Sequence, residues 1–152
     1  MTRIAAIDPG KSGGIAWNDQ DNIVQTANMP DTPTDMLSLL LSLRANGVTM
    51  LTIEQLPRFV GKNIPSSTTS VLFENYGICI GIAIALGFRL ERVDPHTWQR
   101  GLGLGTARNC GSKTEWKRKL KGKAQELFPH LEVTLATADA LLIYDWAVKN
   151  KS

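Results

Sequence analysis

The apolar positions of the chain fall into short runs, each closed by turn residues. Ile4-Ala5-Ala6-Ile7 is unbroken and ends in Asp8-Pro9-Gly10-Lys11-Ser12-Gly13-Gly14, which predicts a buried strand feeding a tight turn. The chain returns as Ile15-Ala16-Trp17. A turn over 18–21 leads to a third antiparallel strand over 22–28, broken by Pro30 and Pro33. Thr34 as cap predicts a helix over 35–45, with Leu37, Leu40, Leu41 and Leu43 as its apolar surface and Gly47 as its stop. Residues 48–53 (VTMLTI) predict a second buried strand, again closed by a carboxylate, Glu54. A loop follows over 55–67. Thr68 or Thr69 then starts a helix to Leu86 that is apolar on nearly every face, which predicts burial on more than one side. In that helix Gly77, Gly81 and Ala85 recur at four-residue spacing, a small-residue row open to close approach by the sheet or by a second subunit.

Residues 88–93 (FRLERV) alternate as a half-exposed strand does, and Asp94-Pro95 opens a short helix through Trp98. Ser112-Lys113-Thr114-Glu115 has capping-box spacing and begins a basic helix toward Phe128, interrupted or weakened at Gly122 and ended by Pro129. Thr134 or Thr137 begins the last helix, which carries Asp139, Leu142, Ile143 and Trp146. The order of elements predicts a mixed α/β layer, one domain over 1–152, with a central sheet.

Composition adds little to this picture: 152 residues, 43% hydrophobic and 20% charged, describe an ordinary globular chain. No run of about 18 uninterrupted apolar residues is present, so no membrane span or membrane partner is expected. The first residues have strand character, so no secretory signal is expected. Cys79 and Cys110 have no metal-ligand spacing, which argues against zinc and fits a reducing, cytoplasmic setting. The glycine-rich segment 101–111 lacks G-x-G-x-x-G spacing, so no nucleotide cofactor is expected.

Charge changes the picture more. The net charge is +3, but residues 89–123 hold ten Lys/Arg against three acids, +7, leaving −4 for the remainder. A basic half beside an acidic half points to a polyanion; the plainer reading is a solvated helix face.

Three acids stand apart. Asp8 and Glu54 each end a buried strand, and Asp139 lies in an apolar run, Ala138-Asp139-Ala140-Leu141-Leu142-Ile143. Singly, Asp8 reads as a turn-opening acid and Asp139 as an acid favoured near a helix start. If the two strands are parallel neighbours, all three carboxylates converge, raise one another's pKa, and call for a hard divalent cation such as Mg²⁺. Two such ions ~4 Å apart activate water and stabilise a leaving oxygen in phosphodiester hydrolysis.

The ordered set Ile7-Asp8-Pro9-Gly10, Ile53-Glu54-Gln55 and Ala138-Asp139-Ala140-Leu141 resembles the RuvC-type Holliday junction resolvases of the RNase H-like superfamily. Lys62-Asn63 after Glu54-Gln55 and the Gly/Ala-rich helix from Asn75 also resemble that family, and the Trp98-Gln99 and Leu127-Phe128-Pro129 segments resemble its phage-like members. The resemblance implies an RNase H-like mixed five-stranded sheet flanked by helices. It implies a homodimeric, Mg²⁺-dependent endonuclease, with Mn²⁺ able to substitute, that nicks opposed strands of a four-way DNA junction in recombination and repair. Asp8, Glu54 and Asp139 are then the catalytic and metal-binding acids. The family usually carries a further acid or histidine three residues before the last aspartate, where this chain has Ala136. Glu132 and His130 are candidates to reach in from the preceding loop; Asp145, about 240° around the helix from Asp139, is a poor replacement. A lysine near the scissile phosphate is also implied.

Candidate DNA contacts are Lys11, Arg58, Phe59, Lys62, Lys113, Lys117, Lys119, Lys121 and Lys123, since Lys and Arg neutralise phosphates. Phe59, between Arg58 and Lys62 in the loop after Glu54, can stack on an unpaired base, a contact worth about 1–3 kcal/mol, or pack under its own loop. Competing readings are a less selective nuclease acting on branched DNA or RNA–DNA hybrids, and a junction-binding protein with impaired catalysis, motivated by Ala136. A sugar kinase or actin-like ATPase needs two such domains.

Overall fold

The computed structural model describes residues 2–57 and 64–151. Three strands come first, β1 (Arg3–Asp8), β2 (Gly14–Asn18) and β3 (Val24–Asn28). Then follow α1 (Pro33–Ala45), β4 (Val48–Glu54), α2 (Ser66–Ala85), β5 (Arg89–Val93), α3 (Pro95–Arg100), α4 (Lys113–Leu127) and α5 (Leu135–Lys151). The five strands form one mixed sheet in the order β3-β2-β1-β4-β5. The first three are an antiparallel meander, and β1, β4 and β5 run parallel. This is the expected five-stranded sheet flanked by helices.

Alternation along the strands sorts the core into two layers. Ile4, Ala6, Ala16 and Met50 pack with Val93, Trp98, Trp116, Leu120, Ala140 and Leu141, under α3, α4 and α5. Ala5, Ile7, Ile15, Leu51 and Ile53 pack with Met36, Leu40, Leu43 and Cys79, under α1 and α2. The burial of β1 and β4 on both faces explains their unbroken apolar runs.

Three local expectations are corrected. The cap of α1 is Thr32, whose side chain accepts from the Asp35 amide at 3.1 Å, because Pro33 takes the first helical position and the cap must precede it. Gly122 does not interrupt α4: Leu120 and Ala124, buried on either side of it, hold the helix through. Finally, α2 is not buried on several sides. Among its described residues only Tyr76, Cys79 and Ala83, one helical stripe, are fully buried, with Leu72, Ile80 and Ile82 partly buried beside them. Val71, Phe73 and Ile84 are exposed, and a methyl group added at Gly77 or Gly81 would meet no neighbour. By length and composition alone α2 is also apolar enough to cross a membrane; here its buried stripe lies on the sheet.

Candidate active site

The parallel pairing of Ile7 with Ile53 carries Asp8 and Glu54 off the same edge of the sheet, on adjacent strands. The third acid comes from α5, which lies across β1 and β2. Its approach depends on Gly14, the residue paired with Asp8. A Cβ at Gly14 would stand 2.7 Å from the Ala136 carbonyl oxygen and 3.0 Å from that of Ala27. Only a residue without a side chain lets the first turn of α5 sit that close. The helix is opened by Thr134 and Thr137, which exchange hydrogen bonds across that turn, so Asp139 enters the core beside Ala138 and Ala140.

Asp139 is 5% exposed. Its Oδ2 accepts a hydrogen bond of 2.6 Å from Lys117 Nζ, and its Oδ1 is buried with no hydrogen-bond partner. Lys117 follows Trp116, which is buried, and so flanks the apolar stripe of α4 that packs on α5. Burial works against its ammonium, but the charge and hydrogen bond of Asp139, with Asp8 and Glu54 behind them, hold its pKa above the ordinary lysine value.

The other two acids show the cost of convergence. Burial, and then the Asp139 charge, push Asp8 from 3.8 up to about 6, against the pull of Lys117 and the Gly10 amide. Burial, and then Asp8, raise Glu54 from 4.5 to about 7, against a 2.8 Å hydrogen bond from the Trp98 indole nitrogen to Oε2. The three carboxylates therefore act on one another through charge. Among the described residues no three acidic, histidine or cysteine side chains stand close enough to ligate one ion as placed. The chemistry of the group nonetheless fits a hard divalent cation. It is all carboxylate, it carries an orphaned buried oxygen, and two of its members, buried and beside another carboxylate, hold protons more tightly than usual.

The remaining candidates separate. Lys11 and Lys113 line a depression of about 660 Å³ with Gly10, Ser12, Ser67, Thr68, Val71 and Leu72, next to Asp8. Helical spacing sets Lys113, Lys117 and Lys121 on one flank of α4 and Lys119 and Lys123 on the other, where Lys123 pairs with Glu126 at 3.4 Å. Arg58, Phe59 and Lys62 lie outside the described residues. Neither neighbour proposed for the place of the missing fourth group reaches it. His130 faces the Val24 carbonyl at 3.1 Å, and Glu132 is exposed. Asp145 pairs with Lys149. The carbonyl of Ala136 itself lies against Gly14.

Two contributors escaped the sequence reading. Trp98 reads there as the end of a short helix and as part of the segment that resembles phage-like members, not as a partner of Glu54, although the Asp94-Pro95 start immediately after β5 is the signal that returns it over β4. Gly14 reads as a turn residue, although it is the first residue of β2.

No family model and no curated protein matches the sequence. Among solved structures, the chain aligns with T. thermophilus RuvC in complex with Holliday junction substrate over 99% of its own length and 97% of that chain, with a TM-score of 0.64 and 13% identity. The Thermus thermophilus RuvC structure matches over 97% and 96%, with a TM-score of 0.60 and 15% identity. The chain has a RuvC-type fold. Within that RNase H-like architecture, β1, β4 and α5 are the elements that bring Asp8, Glu54 and Asp139 to one edge of the sheet.

Proposed function

We propose that this protein is a divalent-metal-dependent endonuclease that resolves four-way DNA junctions. The observation that carries the reading is the convergence of Asp8, Glu54 and Asp139, with the Lys117 ammonium, at one edge of a RuvC-type sheet. The solved relative bound to a Holliday junction supports the choice of substrate.

Asp8, Glu54 and Asp139 would hold Mg²⁺, or Mn²⁺ in its place. When bound, the metal supplies Lewis acidity at a phosphate oxygen and lowers the pKa of a water. The residues divide the remaining work. Asp8 and Glu54, rigid at strand ends, fix the position of the site. We assign to Lys117, which lies beside Asp139 and is 41% exposed at its side chain, the contact with a non-bridging oxygen of the scissile phosphate. Lys11 and Lys113 continue the positive track along the depression beside Asp8. Lys119, Lys121 and Lys123 extend the positive charge of α4, and we assign Arg58, Phe59 and Lys62 as further DNA contacts on the strength of their residue types. Paired nicking needs two copies, and the uncovered apolar face of α2 is the surface we assign to the homodimer.

The test is incubation with a synthetic four-way junction and a linear duplex of the same sequence, with Mg²⁺ or with chelator. Mg²⁺-dependent cutting confined to the junction is expected. Equal cutting of linear duplex, or of an RNA–DNA hybrid, would replace it with the less selective nuclease. The ion pair of Lys117 with Asp139 and the alanine at 136 favour one other reading, a junction-binding protein that does not cut; binding without cleavage, even in Mn²⁺, would establish it.

A further inference from the structure

The indole of Trp98 is the described hydrogen-bond partner of Glu54, and it is set in the core rather than on the surface. Glu54 pairs with Val93 across β4 and β5, and the Gln55 amide donates to the Val93 carbonyl at 2.7 Å. Asp94 follows immediately and caps α3, its side chain accepting from the His96 amide at 2.8 Å, with Pro95 at the first helical position. One turn of helix then returns residue 98 over the end of β4. Trp98 is 1% exposed and belongs to the same apolar cluster as Trp116, Leu120, Ala140 and Leu141. The cluster that seats the helix of Asp139 therefore also seats the indole.

An indole nitrogen donates and never accepts. Its rigid ring, immobilised by packing, ends 2.8 Å from Glu54 Oε2. A glutamate has a flexible side chain, and a fixed donor on one oxygen limits how that chain can turn. Partners of this kind orient metal ligands, and their loss typically costs about 10–100-fold in metal affinity or activity.

We propose that Trp98 is a positioning residue that orients the Glu54 carboxylate for the divalent cation, an inference that rests on the nuclease reading above. Core filling alone would make the indole nitrogen dispensable.

The test uses the full chain labelled with ¹⁵N. Glu54→Gln identifies the Trp98 indole resonance among those of the four tryptophans, and Mg²⁺ is titrated into the wild type. Trp98→Phe removes the donor and keeps an aromatic ring; its Mg²⁺ affinity is measured by calorimetry, and its single-turnover cleavage is measured at saturating junction. The expected result is a Trp98 resonance that moves with Mg²⁺. In the variant, Mg²⁺ affinity should be about 10–100-fold weaker, cleavage should recover in part at high Mg²⁺, and junction binding in chelator should be unchanged. A variant that binds Mg²⁺ and cuts as the wild type does overturns the inference, as does an indole resonance that Mg²⁺ leaves in place. If Trp98→Phe does not fold, the wild-type titration decides alone. If the wild type neither binds Mg²⁺ nor cuts, the nuclease reading itself falls and takes this inference with it.

Discussion

Replacing Asp8 by Asn should make the protein more stable while abolishing its activity. The ionised Asp8 carboxylate is held at a cost, because burial and Asp139 raise its pKa from 3.8 to about 6. The sign follows from proton linkage. Well below the unfolded value both states are protonated and the acid has no effect. Between the two values the folded state keeps a proton that the unfolded chain releases, so stability falls as pH rises; above about 6 the whole cost is present. About two pKa units at about 1.4 kcal/mol each give a ceiling near 3 kcal/mol around pH 8, against about 0.5 kcal/mol around pH 4. Asp8 is only half-buried, so about 1–3 kcal/mol is the working range at the higher pH. For a chain of this length that is a rise in Tm of roughly 3–10 °C. Asparagine is nearly the same shape and keeps an oxygen for the Gly10 amide. Thermal unfolding of both proteins in chelator, followed by circular dichroism at the two pH values, reads the difference. Mg²⁺ should raise the Tm of the wild type and leave the variant where it was. A variant destabilised equally at both pH values would refute the reasoning and return Asp8 to a turn-building role.

Lys117→Met leaves Asp139 buried without its cation; it should cost about 1–2 kcal/mol in urea unfolding, allowing for the half-exposed lysine, and should depress cleavage far more than junction affinity. Gly14→Ala forces a methyl group against the Ala136 and Ala27 carbonyls and should cost about 2–3 kcal/mol or more, with loss of cleavage as α5 lifts from the sheet; an unchanged urea midpoint would contradict the close approach. Ile84→Arg, on the uncovered face of α2 where Ile84 is 63% exposed, should turn a dimer into a monomer in sedimentation with the Tm little changed; a dimer that survives places the interface elsewhere.

The parts of the fold that were legible were those whose pattern is local. The apolar runs at 4–7 and 48–53 are strands because both faces are covered, and turn residues close them where the structure does. The carboxylates at their ends were equally plain, since a charge immediately after a buried run stands out. What was not legible depends on partners distant in sequence. The apolar composition of α2 cannot show that the stripe of Tyr76, Cys79 and Ala83 is the one it buries while Val71, Phe73 and Ile84 stay exposed. Five lysines on α4 look alike until packing of Trp116 and Leu120 on α5 turns Lys117 to Asp139. Gly14 carries a packing demand set by residues more than a hundred positions away. Trp98 becomes a partner of Glu54 only when β5 is known to lie beside β4.

The central claim is that Asp8, Glu54 and Asp139 form a cation-binding hydrolytic centre, and crystals soaked in Mn²⁺ test it most directly. An anomalous peak among the three carboxylates is predicted, with Lys117 Nζ drawn away from the 2.6 Å contact it makes with Asp139. A map without a peak there, with Lys117 still paired to Asp139 at saturating Mn²⁺, would contradict the account.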